Sequence, residues 1–416
     1  VNSSTTAQRL RDQMAKFSGV VCQGLGKVGS RFVREMVYGI QASGSVKLSE
    51  IARALGEPIA VKKTHERLVR QLERERLGEV VQSNVPEYGA WRVGRDTLVV
   101  LDISELTKRY ACKMQYLCKV RDGSDGEIRP GYWTIQVVAT ELGGKEIVPL
   151  YQRLYSADAP EFESENRELL HAIEAVSGQV GGRGIWVMDR GGDRKELLVP
   201  MVRSGKRFII RLEGDRHLVC GTRTAPAREL ARTCTCPYAE TVTKGKGSGR
   251  NVYDICFGYC RVKLPGCERQ LWMLVVKGFG EEPLMLLTTE PLRRNRTVLW
   301  RVALSYFKRW DIEETIRYLK QSYGIEDVRV LRYRGLQNLY VLVLAASHFA
   351  CAVLGLSVRL RVMTGHVLVA AKRIFGIPDF MYYAVADGIK AILTRYPALP
   401  TPTPTHSDAQ LPLFPP

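Results

Sequence analysis

Two short apolar runs, "TLVVLD" (97–102) and "GIWVMD" (184–189), each end on an aspartate and restrict what the chain can fold into. Runs this short, rich in β-branched residues and bounded by turn signals, read as strands buried within a sheet rather than as helices. The carboxylates of Asp102 and Asp189 then stand at the carboxyl edge of that sheet, where open α/β sheets present their sites. A single strand-terminal Asp is ordinarily a turn or helix cap. Two of them, taken with a helix carboxylate described below, are harder to assign to caps.

Further strands are expected at "WTIQVVAT" (133–140), "EIVPLYQRLY" (146–155) and "RFIIRL" (207–212), with helices at 165–176 and 194–205. Three antiparallel strands followed by helix, strand, helix and strand predict an α/β core, a mixed sheet flanked by helices on both faces. Residues 213–292 alternate like strands, hold the Gly-rich "TKGKGSGR" (243–250), and are expected as an inserted β domain dividing the core into 91–212 and 293–360. Residues 1–90 read as a helical DNA-binding domain. Within it 46–76 have the shape of a helix-turn-helix, with a Gly56-Glu57-Pro58 turn and Lys62, Lys63 and Arg67 on the outer face of the second helix. Residues 361–397 are expected to be helical and to serve dimerisation, and 398–416 form a Pro-rich tail expected to be disordered.

A formal charge of +18 implies a polyanionic partner, nucleic acid ahead of a membrane surface. The charge is uneven: residues 203–310 carry 21 Lys and Arg against 9 Asp and Glu, a net +12. No unbroken apolar run reaches the roughly 18 residues of a membrane span, and a cytoplasmic, nucleoid-associated protein with no membrane partner is expected. Of ten cysteines, six cluster between Cys220 and Cys267. Cys234-x-Cys236 with Cys256-x3-Cys260 leaves a zinc site open, although the spacing fits no common finger and reduced thiols are the simpler reading. His65, His171, His217, His348 and His366 are scattered and read as structural.

The charged stretch "SYFKRWDIEETIRYLKQSYG" (305–324) reads as one helix, with Ile312, Ile316, Leu319 and Tyr323 as its buried stripe. On that helix Tyr306, Arg309, Glu313, Arg317 and Lys320 fall within an arc of about 80°, while Asp311 and Glu314 point elsewhere. A solvated face of spaced ion pairs would account for such a helix taken alone. The two strand aspartates change the balance. Three carboxylates in one pocket repel unless cations neutralise them, and two Mg²⁺ ions roughly 4 Å apart, with Mn²⁺ as a substitute, would do so. Asp102, Asp189 and Glu313 are therefore the expected catalytic residues and metal ligands. Arg309 and Lys320, on either side of Glu313, are expected to hold DNA phosphates.

Tyr306, Arg309, Glu313 and Lys320 meet the Tyr-x2-Arg-x3-Glu-x6-Lys signature, and Trp310 and Ile312 complete "RWxIE". In these residues the chain resembles the cut-and-paste DDE transposases of bacterial insertion sequences, over roughly residues 95–350. The order Asp, Asp, β insertion, Glu agrees with that family, as do the surroundings "LDIS" and "DRGGD", which favour Asp102 and Asp189 over Asp122, Asp125 or Asp193. The resemblance implies an RNase H-like core and a homodimer on the terminal inverted repeats. It further implies Mg²⁺-dependent cleavage through a DNA hairpin, then joining to target DNA. One departure stands out. Leu284 lies near the place where relatives carry a Trp that steadies a flipped base, which leaves Met285 or Trp300 as the substitute. An RNase H-like junction nuclease and a catalytically silent DNA-binding protein are the alternatives.

Overall fold

Runs that are apolar at every position form the centre of the sheet, and runs that alternate form its margins. The structure is a computed structural model that describes residues 3–244, 251–354, 358–364 and 381–398. It begins with five helices, α1 (Ser3–Val21), α2 (Lys27–Ser43), α3 (Leu48–Leu55), α4 (Val61–Leu72) and α5 (Leu77–Asn84). β1 (Leu98–Thr107), β2 (Cys118–Arg121), β3 (Ile128–Thr140) and β4 (Ile147–Tyr155) follow. Next come α6 (Glu165–Gln179), β5 (Ile185–Met188), α7 (Lys195–Arg203) and β6 (Phe208–Arg211). β7 (His217–Cys220), β8 (Arg223–Pro226) and α8 (Ala227–Thr233) precede the strands β9 (Tyr238–Lys244), β10 (Asn251–Val262), β11 (Leu271–Lys277) and β12 (Leu284–Thr288). The chain then forms α9 (Arg296–Phe307), α10 (Trp310–Ser322), α11 (Tyr333–His348), a short helix α12 at 358–364, and α13 (Tyr382–Arg395).

The strands lie in the order β2-β3-β1-β5-β6-β12-β11-β10-β9, with β4 also on β3. β1, β5 and β6 pair in parallel, and the other pairs in the sheet are antiparallel. The mixed sheet with helices on both faces is as expected: α6, α7 and α8 cover one face and α9, α10 and α11 the other.

Two boundaries differ from expectation. Residues 213–292 do not form a separate β domain, because β12 pairs with β6 (Leu287 opposite Ile210) and β11, β10 and β9 extend the same sheet. Every residue of β12 is buried, and so is most of β11; a strand apolar on both faces requires a covered, central place. Among the described residues, only β7 and β8 form a small sheet of their own. The second difference lies in residues 1–90, which share one core with the later helices. Phe17, Phe32, Met36 and Ile40 pack in the cluster that holds Leu342, Phe349, Tyr382 and Ile389. Even the polar Gln41 of α2 is buried there, its Nε2 donating to Ala346 O at 2.6 Å and to Tyr323 Oη at 3.1 Å. Residues 399–416, 365–380 with His366, and 245–250 lie outside the described residues, so the expectations for the tail and the Gly-rich loop fall there too.

Tyr333–Val353 is apolar and long enough to cross a bilayer, and 89% of its most apolar window is buried inside the protein, as befits a core helix. His348 ends α11, fully buried, with Nδ1 2.6 Å from Pro149 O, so Nδ1 carries the proton and donates it. Burial pushes its pKa from 6.5 down to about 4. The unfolded chain therefore takes up this proton before the folded one, and stability that is full above pH 6.5 declines as pH falls toward 4. His348 alone should remove on the order of 3 kcal/mol across that window. Urea titrations between pH 7 and 4.5 test this, with His348→Asn, which keeps a donor for Pro149, expected to flatten the acid side; unchanged slopes would contradict it.

Candidate active site

Register brings the two strand carboxylates together. β1 and β5 pair as Leu98–Ile185, Val99–Trp186 and Val100–Val187. Continued two positions, the same register sets Asp102 beside Asp189, and strand alternation turns both toward the layer that holds Leu98, Val100, Ile185 and Val187. β5 stops at Met188 as the Asp189 carboxylate caps the next turn, its Oδ1 accepting from Gly191 N at 2.8 Å. β1 runs on to Thr107, so Asp102 lies within its strand, opposite Gln136 of β3, and not at its end as expected. Where β1 outruns β5 a crevice of about 240 Å³ opens, lined by Asp102, Asp189, Trp133, Glu165 and Arg194.

The third carboxylate arrives on a bent element. Residues 305–324, expected as one helix, are two: α9 ends at Phe307 and α10 begins at Trp310. Between them the backbone tightens to three-residue bonds, Arg309 N to Tyr306 O, Asp311 N to Lys308 O and Ile312 N to Arg309 O, all 3.0 Å. Lys308 meanwhile reaches Gly144 O at 2.7 Å and Asp311 Oδ2 at 2.8 Å. The bend turns Arg309 inward. It is only 8% exposed, with Nη2 2.6 Å from Glu313 Oε1, Nη1 3.8 Å from Asp102 Oδ2, and its guanidinium carbon 5.9 Å from the centre of the Tyr306 ring.

Burial pushes the pKa of Asp102 up to about 7, Asp189 adds to the rise, Arg309 opposes it, and Glu313 adds a smaller push. For Arg309, burial works against the charge, but Asp102, Tyr306 and Glu313 outweigh it and hold its pKa above the usual value. The guanidinium is thus the local counter-charge of two acids, yet its buried Nε has no partner. Among the described residues no three His, Cys, Asp or Glu side chains stand close enough to hold a metal as they are. The donor set nonetheless suits a hard divalent cation: carboxylates from β1, the β5 end and α10, with repulsion at Asp102 that one guanidinium leaves uncancelled.

The remaining expected residues are placed otherwise. Arg317 pairs with Glu314 on the exposed side of α10, away from the acids. Lys320 is not open to a phosphate: its ammonium lies 3.0 Å from Glu105 and 3.0 Å from Glu326. Lys62 and Lys63 are exposed at the start of α4, but Arg67 is held by Glu35 at 2.5 Å and Glu57 at 2.8 Å and is not free for DNA. Trp300 is half-buried in an aromatic group, stacked on Phe257 at 5.5 Å and edge-on to Phe307 at 6.3 Å. Asp193 is buried against Arg216, and Asp122 and Asp125 pair with Arg109 and Arg129. Cys256 and Cys260 stand four residues apart on β10, about 13 Å along a strand, too far for one zinc ion. The segment Thr235–Cys236 crosses β10 between them, close enough that a Cβ on Gly258 would lie 2.0 Å from Thr235 O. Glu105 escaped the sequence reading, although it stands only three residues past Asp102.

Because the folded pKa of Asp102 exceeds its ordinary 3.8, the native state binds this proton more tightly than the unfolded chain. Stability from this group is full below pH 3.8 and is lost as pH rises to about 7. Asp102→Asn should therefore stabilise the protein at pH 8, by up to roughly 4 kcal/mol, and give no gain below pH 4. Chemical denaturation at both pH values checks this; a destabilised variant at pH 8 would contradict it.

The family described as "Transposase DDE domain" matches residues 132–349, more than half of the chain, a span that includes Asp189 and Glu313 and begins after Asp102. No curated protein matches the chain. Among solved structures, the cryo-EM structure of a piggyBac transposase synaptic complex with hairpin DNA is similar at 9% identity and a TM-score of 0.41, covering 95% of this chain and 82% of that one. A likeness that slight carries no argument. By the match over residues 132–349, the protein belongs to the transposases with a DDE domain.

Proposed function

We propose that this DNA transposase binds the terminal inverted repeats of an insertion sequence as a homodimer, cuts the strands through a hairpin, and joins the ends to target DNA. The observation that carries the reading is the parallel register placing Asp102 beside Asp189, with Glu313 tied to Asp102 through Arg309. Asp102, Asp189 and Glu313 would hold two Mg²⁺ or Mn²⁺ ions, which when bound activate the attacking oxygen and neutralise the leaving one. The signature Tyr306, Arg309, Glu313 and Lys320 supports assignment to the Tyr-Arg-Glu-Lys group, and an RNase H-like core is consistent with the mixed sheet.

The chain's own residues supply placement. Arg309 neutralises Asp102 and Glu313 in the free protein, and its unpaired Nε leaves one donor for a phosphate oxygen beside the acids. Tyr306 backs the guanidinium and limits its swing. Exposed Arg293 and Arg294, just before α9, and Lys62 and Lys63 on α4 offer positive charge for the duplex backbone. The helix-turn-helix reading of α3 and α4 stays part of the proposal, carried by Lys62 and Lys63 without Arg67.

Glu313→Gln keeps size and helix propensity but removes a ligand charge. Nicking of a duplex carrying the terminal sequence should fall by roughly three orders of magnitude or more in Mg²⁺ and Mn²⁺, while binding in Ca²⁺ persists and weakens steeply with salt. Wild-type rates in the variant would refute the reading.

A further inference from the structure

α10 is fastened to β1 at two places, and only one of them includes the acids. At its start, Arg309 lies between Asp102 and Glu313. Two turns after Glu313, Lys320 Nζ is 3.0 Å from Oε1 of Glu105, on β1 three residues past Asp102. Glu326, in the turn that follows Gly324, meets the same ammonium at 3.0 Å. The side chains of Lys320 and Glu105 are 24% and 16% exposed, so this pair is largely withdrawn from water and is not an ordinary surface pair.

The spacings match. Three residues of strand advance about 10 Å and seven residues of helix about 10.5 Å. β1 and α10 therefore run in the same direction and are tied at two points, Asp102 to Glu313 through Arg309 and Glu105 to Lys320; three residues apart on an unbulged strand, Asp102 and Glu105 leave opposite faces of β1, so the second tie does not repeat the geometry of the first. A phosphate approaching Lys320 would have to displace two carboxylates already bonded to it. In the DNA-free protein the lysine of the signature is thus held by Glu105 and Glu326.

We propose that Glu105 is a positioning residue: its ion pair with Lys320 sets the separation of α10 from β1, and so holds Glu313 at the distance from Asp102 at which both can share a divalent cation. The inference rests on the reading of Asp102, Asp189 and Glu313 as cation ligands. Supporting residues one step behind metal ligands act in this way by fixing ligand orientation, and their loss commonly weakens metal affinity by about 10- to 100-fold.

The test uses the full chain without DNA and terbium(III) as the probe, read by tyrosine-sensitised luminescence and competed with Mg²⁺. Asp102→Asn defines the part of the signal that belongs to the acids. Glu105→Lys and Lys320→Glu should each weaken that binding by about tenfold or more, and the double exchange, made together with Glu326→Gln so that no second acid faces the new carboxylate, should recover it to within about threefold. Glu105→Gln, isosteric and uncharged, should also weaken it, and carries the test should the exchanged pair fail to fold. If terbium binding depends on Asp102 but ignores every Glu105 variant, or if a folded double exchange stays as weak as the singles, the inference is overturned and the proposed function stands. Loss of DNA affinity in Lys320→Gln with terbium binding intact would return Lys320 to phosphate contact and overturn it as well. Terbium binding indifferent to Asp102→Asn would overturn both readings.

Discussion

The parallel pairing of β1 with β5 sets two carboxylates side by side at the edge of a buried sheet, and much of the surrounding structure answers that repulsion. Neither acid can be moved away without shifting a strand whose other residues are core. Leu98 and Val100 pack on one face while Val99 and Leu101 pack on the other, so a one-residue slip would exchange every side chain. The charge must be met where it stands. Arg309 meets it, drawn in by the bend between α9 and α10 and held over the Tyr306 ring. One guanidinium cannot cancel three carboxylates, and burial first, with the charge of Asp189 added to it, raises Asp102 to about 7. Such a site is costly to the fold and suited to a cation, the usual compromise where stability yields to chemistry.

The rest of the molecule makes that compromise tolerable. β12 pairs with β6 and prolongs the sheet through β11, β10 and β9, so the strand that follows the second aspartate is an interior strand with neighbours on both sides. On the other face, α11 and the N-terminal helices build one core with α10, which gives the helix bearing Glu313 a rigid backing of Ile312, Ile316, Leu319 and Tyr318. Basic residues collect on the loop before α9 and at the start of α4, outside that core, where duplex DNA can reach them.

What was legible in the sequence was local. The runs ending in Asp102 and Asp189 announced buried strands because apolar residues fill both faces, and the mixed sheet followed from their order. Helical spacing put Glu313 and Arg309 on one face, and the two strand aspartates made that face a candidate site. The break at Lys308 and Arg309 was not, because every residue there tolerates a helix, and the break accompanies contacts with Gly144, far along the chain. The pairing of β12 with β6 was equally hidden, since a strand's sequence records that it is buried but not by which partner. Arg67 read as a DNA contact because its face of α4 is basic, whereas the acids that hold it, Glu35 and Glu57, come from α2 and the turn before α4. Glu105 was overlooked for the opposite reason: it lies close in sequence to Asp102, but its partner Lys320 does not.

The claim on which all of this turns is that Asp102, Asp189 and Glu313 share a divalent cation. Iron(II) in place of magnesium, with ascorbate and peroxide, generates radicals that cut the polypeptide beside the bound ion. The account predicts fragments ending near residues 102, 189 and 313, all suppressed together by excess Mg²⁺. Cuts at other places, or cuts that excess Mg²⁺ leaves unchanged, would contradict it.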